Sequence, residues 1–352
     1  MAKTLIIPVA GRSSRFPGMR PKWLLTMPDG KLMIEKSIEG LDLLIFDKIL
    51  IICLREHVEK YISFDFLDEM KASINHNDVD FCILDTPTKS QSETVAKALT
   101  EKNIKGSFLI KDCDNTFSFN WGGGNQIATV NLNNVGVINA SNKSYVKIDS
   151  LGNVVNIVEK KVISDSFCCG AYGFASADEF LEYFNRIKTD GEVFISHVIF
   201  SMLMDGINFT IGNAEGYSDW GTLTEYRDYQ KSCMTIFCDV DGVLLENGSK
   251  FGPRKWMTEP IIDNVEKLVE LQKKGKIYLI VTSARPYDQE GYIRDKLLDF
   301  GLVVDRFILN LPHGKRILIN DYSATNGYPS AISINIERDS NKLSDFLDPV
   351  FG

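Results

Sequence analysis

Short apolar runs alternate with longer amphipathic stretches in the first third of the chain. Four runs have the length of buried strands: Leu5–Val9, Lys48–Leu54, Phe81–Leu84 and Phe108–Ile110. Between these runs, Lys31–Leu44 and His57–Lys71 carry apolar residues at helical spacing. Regular alternation of strands and helices is typical of a parallel sheet with helices packed on its faces. We therefore predict an α/β fold with a mostly parallel, doubly wound sheet in this part of the chain.

The middle of the chain has a different pattern, which is typical of antiparallel pairing. Two alternating runs within Ser144–Ser164 flank the turn sequence Ser150–Asn153, and together they predict a hairpin. An amphipathic helix is expected to begin at Glu192 and to end near Asp205.

The pattern of strand and helix starts again near residue 235. The predicted elements are strands at Thr235–Val243, Lys276–Val281 and Arg316–Ile319 and a helix at Glu259–Gly275. With 352 residues, the chain is long for a single domain and suits two. We place the two domains at residues 1–231 and 232–352.

Composition and charge narrow the class of function. Hydrophobic residues make up 44% and charged residues 24% of the chain, as in an ordinary soluble globular protein. The formal net charge of −8 gives no general attraction to nucleic acid or to an anionic membrane. No stretch has the roughly 18 apolar residues of a membrane span, and the start of the chain lacks a signal-peptide pattern. We expect a cytoplasmic protein that neither binds nucleic acid nor inserts into a membrane.

Cysteine and histidine usage points away from a disulfide-rich or zinc-binding protein. The seven cysteines are odd in number and form no C-x-x-C pair, and the four histidines show no metal-ligand spacing. Both observations fit a reducing compartment.

The most informative stretch is Leu5–Leu25, where a predicted strand opens into a polar loop. Ala10–Gly11 ends the strand, Arg12–Arg15 is small, polar and twice basic, and Pro21–Lys22 follows. Backbone N–H groups of such a loop can meet an anionic ligand, and two arginines with a lysine suit a triphosphate. The alternative is an ordinary strand-loop connection with solvated basic residues.

Two acidic residues follow the predicted strand Phe108–Ile110. Asp112 and Asp114 lie at its carboxyl end, which is where ligands bind in open α/β sheets. A carboxylate in that position can hold Mg²⁺ against phosphate oxygens. A solvated turn would explain one aspartate easily and two less well.

These features resemble the sugar-phosphate nucleotidyltransferases, and their capsule-type members in particular. The resemblance covers about residues 3–231 and rests on motifs that follow the family's order. Ser13 or Ser14 stands where the family commonly has a second glycine. The motifs are Gly11, Arg15, Pro21 and Lys22 in the loop, the polar turn before a helix predicted to begin at Glu93 or Thr94, Asp114–Asn115, Glu159–Lys160, Gly170–Tyr172 and Asp219–Thr222.

The resemblance implies a role for individual residues. It places the nucleotide at Ala10, Gly11, Arg12, Ser13 and Gln91, the sugar phosphate at Glu159, Lys160 and Gly170, Mg²⁺ at Asp114 and Asp219, and catalytic charge neutralisation at Arg15 and Lys22. For Gln91 the alternative is the first turn of a plain capped helix. For the pair Glu159–Lys160 the alternative is an exposed charge pair at the end of a strand.

The second domain resembles the haloacid-dehalogenase-type phosphatases. Its first strand ends in Asp239-Val240-Asp241-Gly242-Val243; the first acid would attack phosphorus, and the second would protonate the leaving oxygen and then activate water. The intervals between its motifs are too short for a cap domain. The resemblance further implies that Thr282 and Ser283 bind phosphate, that Lys315 stabilises the phospho-aspartate, and that Asp239, Asp241 and Asp321 hold Mg²⁺, with Asn320 where a second acid is frequent.

The hypothesis for the whole chain is a bifunctional, Mg²⁺-dependent enzyme. A Rossmann-like, mixed-sheet nucleotidyltransferase domain would transfer a nucleotidyl group from an NTP to a phosphorylated sugar or polyol and release pyrophosphate. CTP is weakly favoured as the NTP, on the family resemblance alone. A small capless phosphatase domain would hydrolyse a phosphate monoester in the same route, as in capsule or surface-glycan synthesis. The alternatives are an inactive second domain or a glycosyltransferase with a D-x-D motif. Assembly into a homo-oligomer is left open.

Overall fold

The computed structural model describes residues 2–134, 142–189, 191–275, 277–320 and 331–351. The chain divides into two compact units, Met1–Tyr226 and Arg227–Gly352. Among the described residues, no helix is both long enough and apolar enough to cross a membrane.

The first unit is built on a mixed sheet flanked by helices. Its strands are β1 (Lys3–Pro8), β2 (Lys48–Leu54), β3 (Val79–Leu84), β4 (Ser107–Lys111), β5 (Asn115–Ser118), β6 (Gln126–Asn131), β7 (Ser144–Ile148), β8 (Val154–Glu159), β9 (Ser166–Phe174), β10 (Thr210–Asn213) and β11 (Glu215–Asp219). Its helices are α1 (Met33–Ile38), α2 (Arg55–Tyr61), α3 (Phe64–Ser73), α4 (Gln91–Glu101), α5 (Ala177–Arg186) and α6 (Ile195–Met204), and α7 (Leu223–Lys231) begins at its end.

The main sheet has the strand order β10-β6-β9-β4-β1-β2-β3. β1 pairs in parallel with both β2 and β4, and β2 pairs in parallel with β3. β9 runs antiparallel to β4 and β6, and the hairpin β7–β8 joins through β9. The predicted mixed α/β sheet is therefore confirmed for this unit.

The central strand β1 is buried on both faces because its residues alternate between two apolar layers. Leu5 and Ile7 pack into one core cluster and Ile6 into the other. Val95 and Leu99 of α4 cover the second layer, and Val58 of α2 covers the first. Helices on both faces are the usual reason that such strands are apolar throughout.

Two predicted helices are shorter than their sequence pattern suggests. The prediction for Lys31–Leu44 was too long, because α1 ends at Ile38 and the backbone at Gly40 then packs against β5. A Cβ at Gly40 would lie 2.1 Å from the carbonyl oxygen of Phe117, so no larger residue fits this contact. The predicted helix His57–Lys71 is two helices, since Ser63 starts α3 by accepting a hydrogen bond from the Phe66 N–H (3.1 Å).

The second unit holds a smaller parallel sheet. Its elements are β12 (Met234–Asp239), α8 (Ile262–Lys273), β13 (Ile277–Thr282), α9 (Glu290–Leu298), β14 (Arg306–Ile308) and α10 (Leu343–Phe351). The strand order is β12-β13-β14, and both pairings are parallel. Leu279 and Val281 of β13 pack into a core with Leu268 of α8, Ile293 of α9 and Leu347 of α10.

The predicted strand at Arg316–Ile319 is wrong. These residues form no strand, and the side chains of Ile317 and Ile319 are 83% and 87% exposed. An apolar run forms a strand only where a neighbouring strand is available for its backbone hydrogen bonds. The haloacid-dehalogenase likeness of this unit and the absence of a cap stay predictions.

Candidate functional sites

The loop after β1 folds back so that Lys22 faces the carboxyl ends of the central strands. Ser13 has a left-handed backbone (φ 50°), which explains why a glycine would also suit this place. Its hydroxyl accepts a hydrogen bond from the Lys22 N–H at 3.0 Å, and the next residues, Trp23 and Leu24, are buried. The hydrogen bond between Lys22 and Ser13 therefore closes the loop, and the buried residues after Lys22 fix its end in the core.

Lys22 and Asp114 form a short ion pair. The Lys22 ammonium lies 2.5 Å from the Asp114 carboxylate, and the Arg15 guanidinium is 3.9 Å from the same oxygen. Burial opposes the charged form of both partners, yet their mutual attraction outweighs it. It raises the pKa of Lys22 and lowers the pKa of Asp114, so both groups are charged at neutral pH.

A second pair of strands brings Asp219 to Asp114. β11 pairs antiparallel with β5, which places Asp219 opposite Asn115, and the Trp220 N–H donates to the Asp114 carbonyl at 2.7 Å. A Cβ built on Gly221 would lie 3.1 Å from an Asp219 oxygen and 3.3 Å from an Asp114 oxygen. The two carboxylates thus face a common space that the glycine leaves open.

Lys143 forms an ion pair with Asp219. Its ammonium donates to the Asp219 carboxylate and, at 2.7 Å, to the Tyr217 hydroxyl. Lys143 is not among the site residues predicted from the sequence. The only signal was a lysine directly ahead of the predicted hairpin strand.

A buried lysine fixes the turn that carries the acidic residues. The Lys111 ammonium donates to the Asp112 carbonyl (2.7 Å) and to the backbone and side-chain oxygens of Asn115 (2.9 and 2.6 Å). Burial lowers the pKa of Lys111 to about 8. Burial, and then the neighbouring Asp114 charge, raise the pKa of Asp112, whose carboxylate accepts a hydrogen bond from Gln91 at 2.5 Å.

The predicted sugar-phosphate residues divide into two groups. Glu159 faces the cleft and accepts hydrogen bonds from the hydroxyls of Ser144 and of Ser196 (2.7 Å for Ser196). Gly170 lies against the acidic turn, where a Cβ would come within 2.6 Å of Asp112 Oδ2. Lys160 is exposed, has a left-handed backbone (φ 54°), and holds its ammonium 4.3 Å from the Phe194 ring centre.

A cavity of about 150 Å³ joins these groups. Six residues that were predicted from the sequence line this cavity: Arg15, Gln91, Asp114, Glu159, Gly170 and Asp219. The polar residues Lys143, Ser144 and Ser196 also line it and were not predicted. Arg12 and Ser13 instead line a separate pocket of about 490 Å³, together with Leu54, His57 and Tyr61. The carboxyl ends of the strands therefore bring together most of the residues predicted for nucleotidyl transfer.

The two carboxylates suit Mg²⁺. Within the described residues, no three histidine, cysteine, aspartate or glutamate side chains gather into a metal-binding group. Mg²⁺ commonly uses only one or two carboxylates and takes its other ligands from water and substrate phosphates. The open space beside Gly221, bounded by Asp114 and Asp219, has this donor set.

The second unit places its predicted residues at the ends of adjacent strands. Asp239 and Thr282 are register partners at the carboxyl ends of β12 and β13. Asp239 accepts a hydrogen bond from the Val240 N–H (2.9 Å) and pairs with the guanidinium of Arg316 at 3.1 Å. Thr282 donates to the Cys238 carbonyl at 3.3 Å. Arg316 is the cation that reaches Asp239 among the described residues, whereas Lys315 is exposed.

Asp241 is held by a buried arginine, which is also not among the residues predicted from the sequence. Arg285 is fully buried, and its guanidinium contacts both carboxylate oxygens of Asp241, the closest contact being 2.8 Å. Ser283 donates to the same carboxylate at 3.2 Å. The guanidinium of Arg285 also donates to the Trp256 carbonyl and to the Thr258 hydroxyl. The predicted metal ligand Asp321 lies outside the described residues.

No protein-family model and no curated protein match the chain, but solved structures do. The nucleoside-diphosphate-sugar pyrophosphorylase from Vibrio cholerae RC9 is 22% identical, with a TM-score of 0.56 over 64% of this chain and 99% of that one. The inositol-1-phosphate CTP transferase from T. maritima is 11% identical, with a TM-score of 0.51 over 64% and 91%. A UDP-glucose pyrophosphorylase complexed with UDP-glucose is 16% identical, with a TM-score of 0.52 over 65% and 97%.

The chain contains the nucleotidyltransferase fold. The matched share of this chain, 64%, corresponds in length to the first unit, Met1–Tyr226. The structures that share the fold are sugar pyrophosphorylases and a CTP transferase by their names. At these identities the likeness establishes the fold, and the chemistry has to be argued from the site itself.

Proposed function

We propose that the first unit transfers a nucleotidyl group from an NTP to a phosphorylated sugar or polyol. The observation that carries this proposal is the convergence of Asp114 and Asp219 on one open space, with Lys22 and Arg15 beside it. Paired carboxylates with adjacent cations at the carboxyl ends of strands suit phosphoryl chemistry. The fold likeness to sugar pyrophosphorylases and a CTP transferase agrees with it.

In the proposed reaction, an oxygen of the acceptor phosphate attacks the α-phosphorus of the NTP. The bond from that phosphorus to the bridging oxygen breaks, and pyrophosphate leaves with the electron pair. Lys22 and Arg15 stabilise the negative charge on the phosphate oxygens, and position and charge supply most of the rate. Mg²⁺ held by Asp114 and Asp219 would add further charge neutralisation. Since the attacking phosphate is already an anion, no general base is needed.

The acceptor side of the cleft offers groups for a polyhydroxylated substrate. Glu159, with Ser144 and Ser196 bound to its carboxylate, provides acceptors and donors for sugar or polyol hydroxyls. The named substrates of the structural neighbours, such as inositol 1-phosphate with CTP, are of this class. We further propose that CTP is the preferred NTP and that the product is used in capsule or surface-glycan synthesis.

We propose phosphate-ester hydrolysis as the function of the second unit. The supporting observation is that Asp239 and Thr282 stand side by side at the carboxyl ends of β12 and β13, with Ser283 bound to Asp241. Asp239 would attack phosphorus, and Asp241 would serve the leaving group. Arg285 and Ser283 hold the Asp241 carboxylate in place beside these strand ends. An inactive second unit is the rival interpretation.

A matrix of substrates tests the first activity. NTPs are combined with glucose 1-phosphate, inositol 1-phosphate and related phosphates in the presence of Mg²⁺, and pyrophosphate release is measured. The proposal predicts release with at least one pair, and its loss in Asp114→Asn and Asp219→Asn while circular dichroism stays unchanged. Transfer from a nucleotide sugar without pyrophosphate release would favour the glycosyltransferase alternative. Full activity in either variant would show that the acid has been misassigned.

A further inference from the structure

We propose that Lys143, rather than Lys160, binds the phosphate of the acceptor substrate. This inference rests on the proposed function of the first unit. Lys143 lines the cleft beside Asp219, and its ammonium touches both Asp219 and the Tyr217 hydroxyl. The sequence resemblance had assigned that phosphate to the glutamate–lysine pair at the end of β8.

The geometry of Lys160 argues against that assignment. Lys160 is exposed, and its ammonium stacks 4.3 Å from the ring centre of Phe194. Glu159, the last residue of β8, does face the cavity, whereas Lys160 follows the strand with a left-handed backbone (φ 54°). The glutamate of the pair is thus placed for the acceptor, whereas the lysine is not.

The charges of the cleft explain why a cation is needed where Lys143 stands. An acceptor phosphate has to approach a space bounded by Asp114 and Asp219, and both carboxylates repel it. Lys22 and Arg15 lie on the Asp114 side. Lys143 supplies an ammonium on the Asp219 side of the cavity, which Glu159 and Ser196 also line.

The position of Lys143 is built into the unit. Its ammonium lies 5.4 Å from the centre of the Tyr217 ring, and that ring packs edge-on against Phe167 at 5.4 Å. A lysine held by a ring and a hydroxyl loses little further conformational freedom when an anion binds. The ammonium carries three N–H donors, and Asp219 and Tyr217 accept from it, so a further donor can bind a phosphate oxygen while Lys143 stays close to Asp219.

The test compares Lys143→Met and Lys143→Arg with wild type, with the exposed Lys147→Met of the same strand region as matched control. At saturating NTP, we expect Lys143→Met to raise the KM for the best acceptor phosphate at least tenfold. The KM for NTP should change less than threefold, and Lys143→Arg should recover part of the loss. Lys147→Met should resemble wild type, and Lys160→Met should raise the acceptor KM less than Lys143→Met does. An unchanged acceptor KM, or equal rises for both substrates, would overturn the proposal.

A binding experiment separates this inference from the proposed reaction. Calorimetric titration with inorganic phosphate should show binding to wild type and to Lys147→Met, with at least tenfold weaker binding to Lys143→Met. If wild type releases no pyrophosphate but shows this difference, nucleotidyl transfer is wrong and the phosphate site at Lys143 stands. Equal phosphate binding to wild type and Lys143→Met, or none to wild type, would overturn the site.

Discussion

Lys22 and Asp114 form the contact on which the proposed transfer depends most directly. A salt bridge in water contributes little, but this one is largely withdrawn from solvent and 2.5 Å long. In the reaction, the same ammonium would share its hydrogen bonds with phosphate oxygens. In the proposed mechanism, Lys22 would contribute through a charged hydrogen bond that strengthens as negative charge moves to the leaving group.

Replacing Lys22 by alanine should reduce nucleotidyl transfer at least about tenfold. The loss of a charge-assisted hydrogen bond to phosphate corresponds to ~1.5–3 kcal/mol. The measurement is kcat/KM for pyrophosphate release, with hydrolysis of a phosphate ester by the second unit as internal control. That second activity should be nearly unchanged, and an equal loss of both would contradict separate sites.

We expect Lys111 to make the stability of the fold depend on pH, because burial lowers its pKa from the ordinary 10.5 to about 8. Between pH 8 and pH 10.5 the unfolded chain keeps this proton while the folded chain has lost it. The contribution of Lys111 to the free energy of unfolding therefore rises with pH in that window, on the order of 3 kcal/mol in full. Below pH 8 it is constant, and the buried charge is destabilising there.

Urea unfolding of wild type and Lys111→Met from pH 7 to pH 10 measures this contribution. We expect the difference in unfolding free energy between the two proteins to grow in favour of wild type above pH 8. Other titrating groups are common to both proteins and cancel in the difference. A difference that is independent of pH would show that Lys111 titrates normally in the folded protein.

At the scale of elements, the sequence predicted best where burial alone decides the structure. Lys48–Leu54 was predicted as a strand and is β2, because a run that is apolar throughout fits only the interior of a sheet covered on both faces. The prediction of a helix through Gly40 was wrong, because the Gly40 backbone packs against Phe117, which is distant in sequence, and the helix ends before it. The apolar run Arg316–Ile319 shows the limit of the same argument, since nothing local reveals whether a neighbouring strand is available.

The site divides in the same way. Lys22, Asp114 and Asp219 belong to short local motifs and could therefore be predicted from the sequence. The pairing of β5 with β11 brings Asp219 close to Asp114. Lys143 and Arg285 belong to no local motif, and their importance comes from what the fold brings to them. Lys143 meets Asp219 across 76 residues of sequence, and Arg285 meets Asp241 across 44. Such partners become visible only when the strands are assembled.

The turn after β11 supplies a prediction about an element rather than a charge. Alanine at Gly221 would place a methyl group 3.1 Å from an oxygen of Asp219 and 3.3 Å from one of Asp114. We expect Gly221→Ala to reduce nucleotidyl transfer at least tenfold while the melting temperature changes by only a few degrees. The matched control is Gly122→Ala, because a Cβ there meets nothing within 4 Å. Wild-type activity in Gly221→Ala would show that the space between the carboxylates is not used.

At the scale of the whole molecule, two compact units each carry acidic residues at the carboxyl ends of strands. Asp114 and Asp219 belong to Met1–Tyr226, whereas Asp239 and Asp241 belong to Arg227–Gly352. The two sets share no residue, and each is held by its own cations. Each of the two proposed activities should therefore respond only to changes in its own unit.

Asp239→Asn and Asp114→Asn test this independence as a pair. Asparagine at 239 keeps the shape of the side chain but removes the attacking anion, so hydrolysis of sugar phosphates and bisphosphates should end. The same variant should keep pyrophosphate release within about twofold of wild type, and Asp114→Asn should show the reverse. Both activities are measured on the same preparation, with beryllium fluoride as an inhibitor of the second. If wild type hydrolyses no ester, or Asp239→Asn hydrolyses as fast as wild type, the second unit is a structural partner. In that case the chain has one active site, which lies in the first unit.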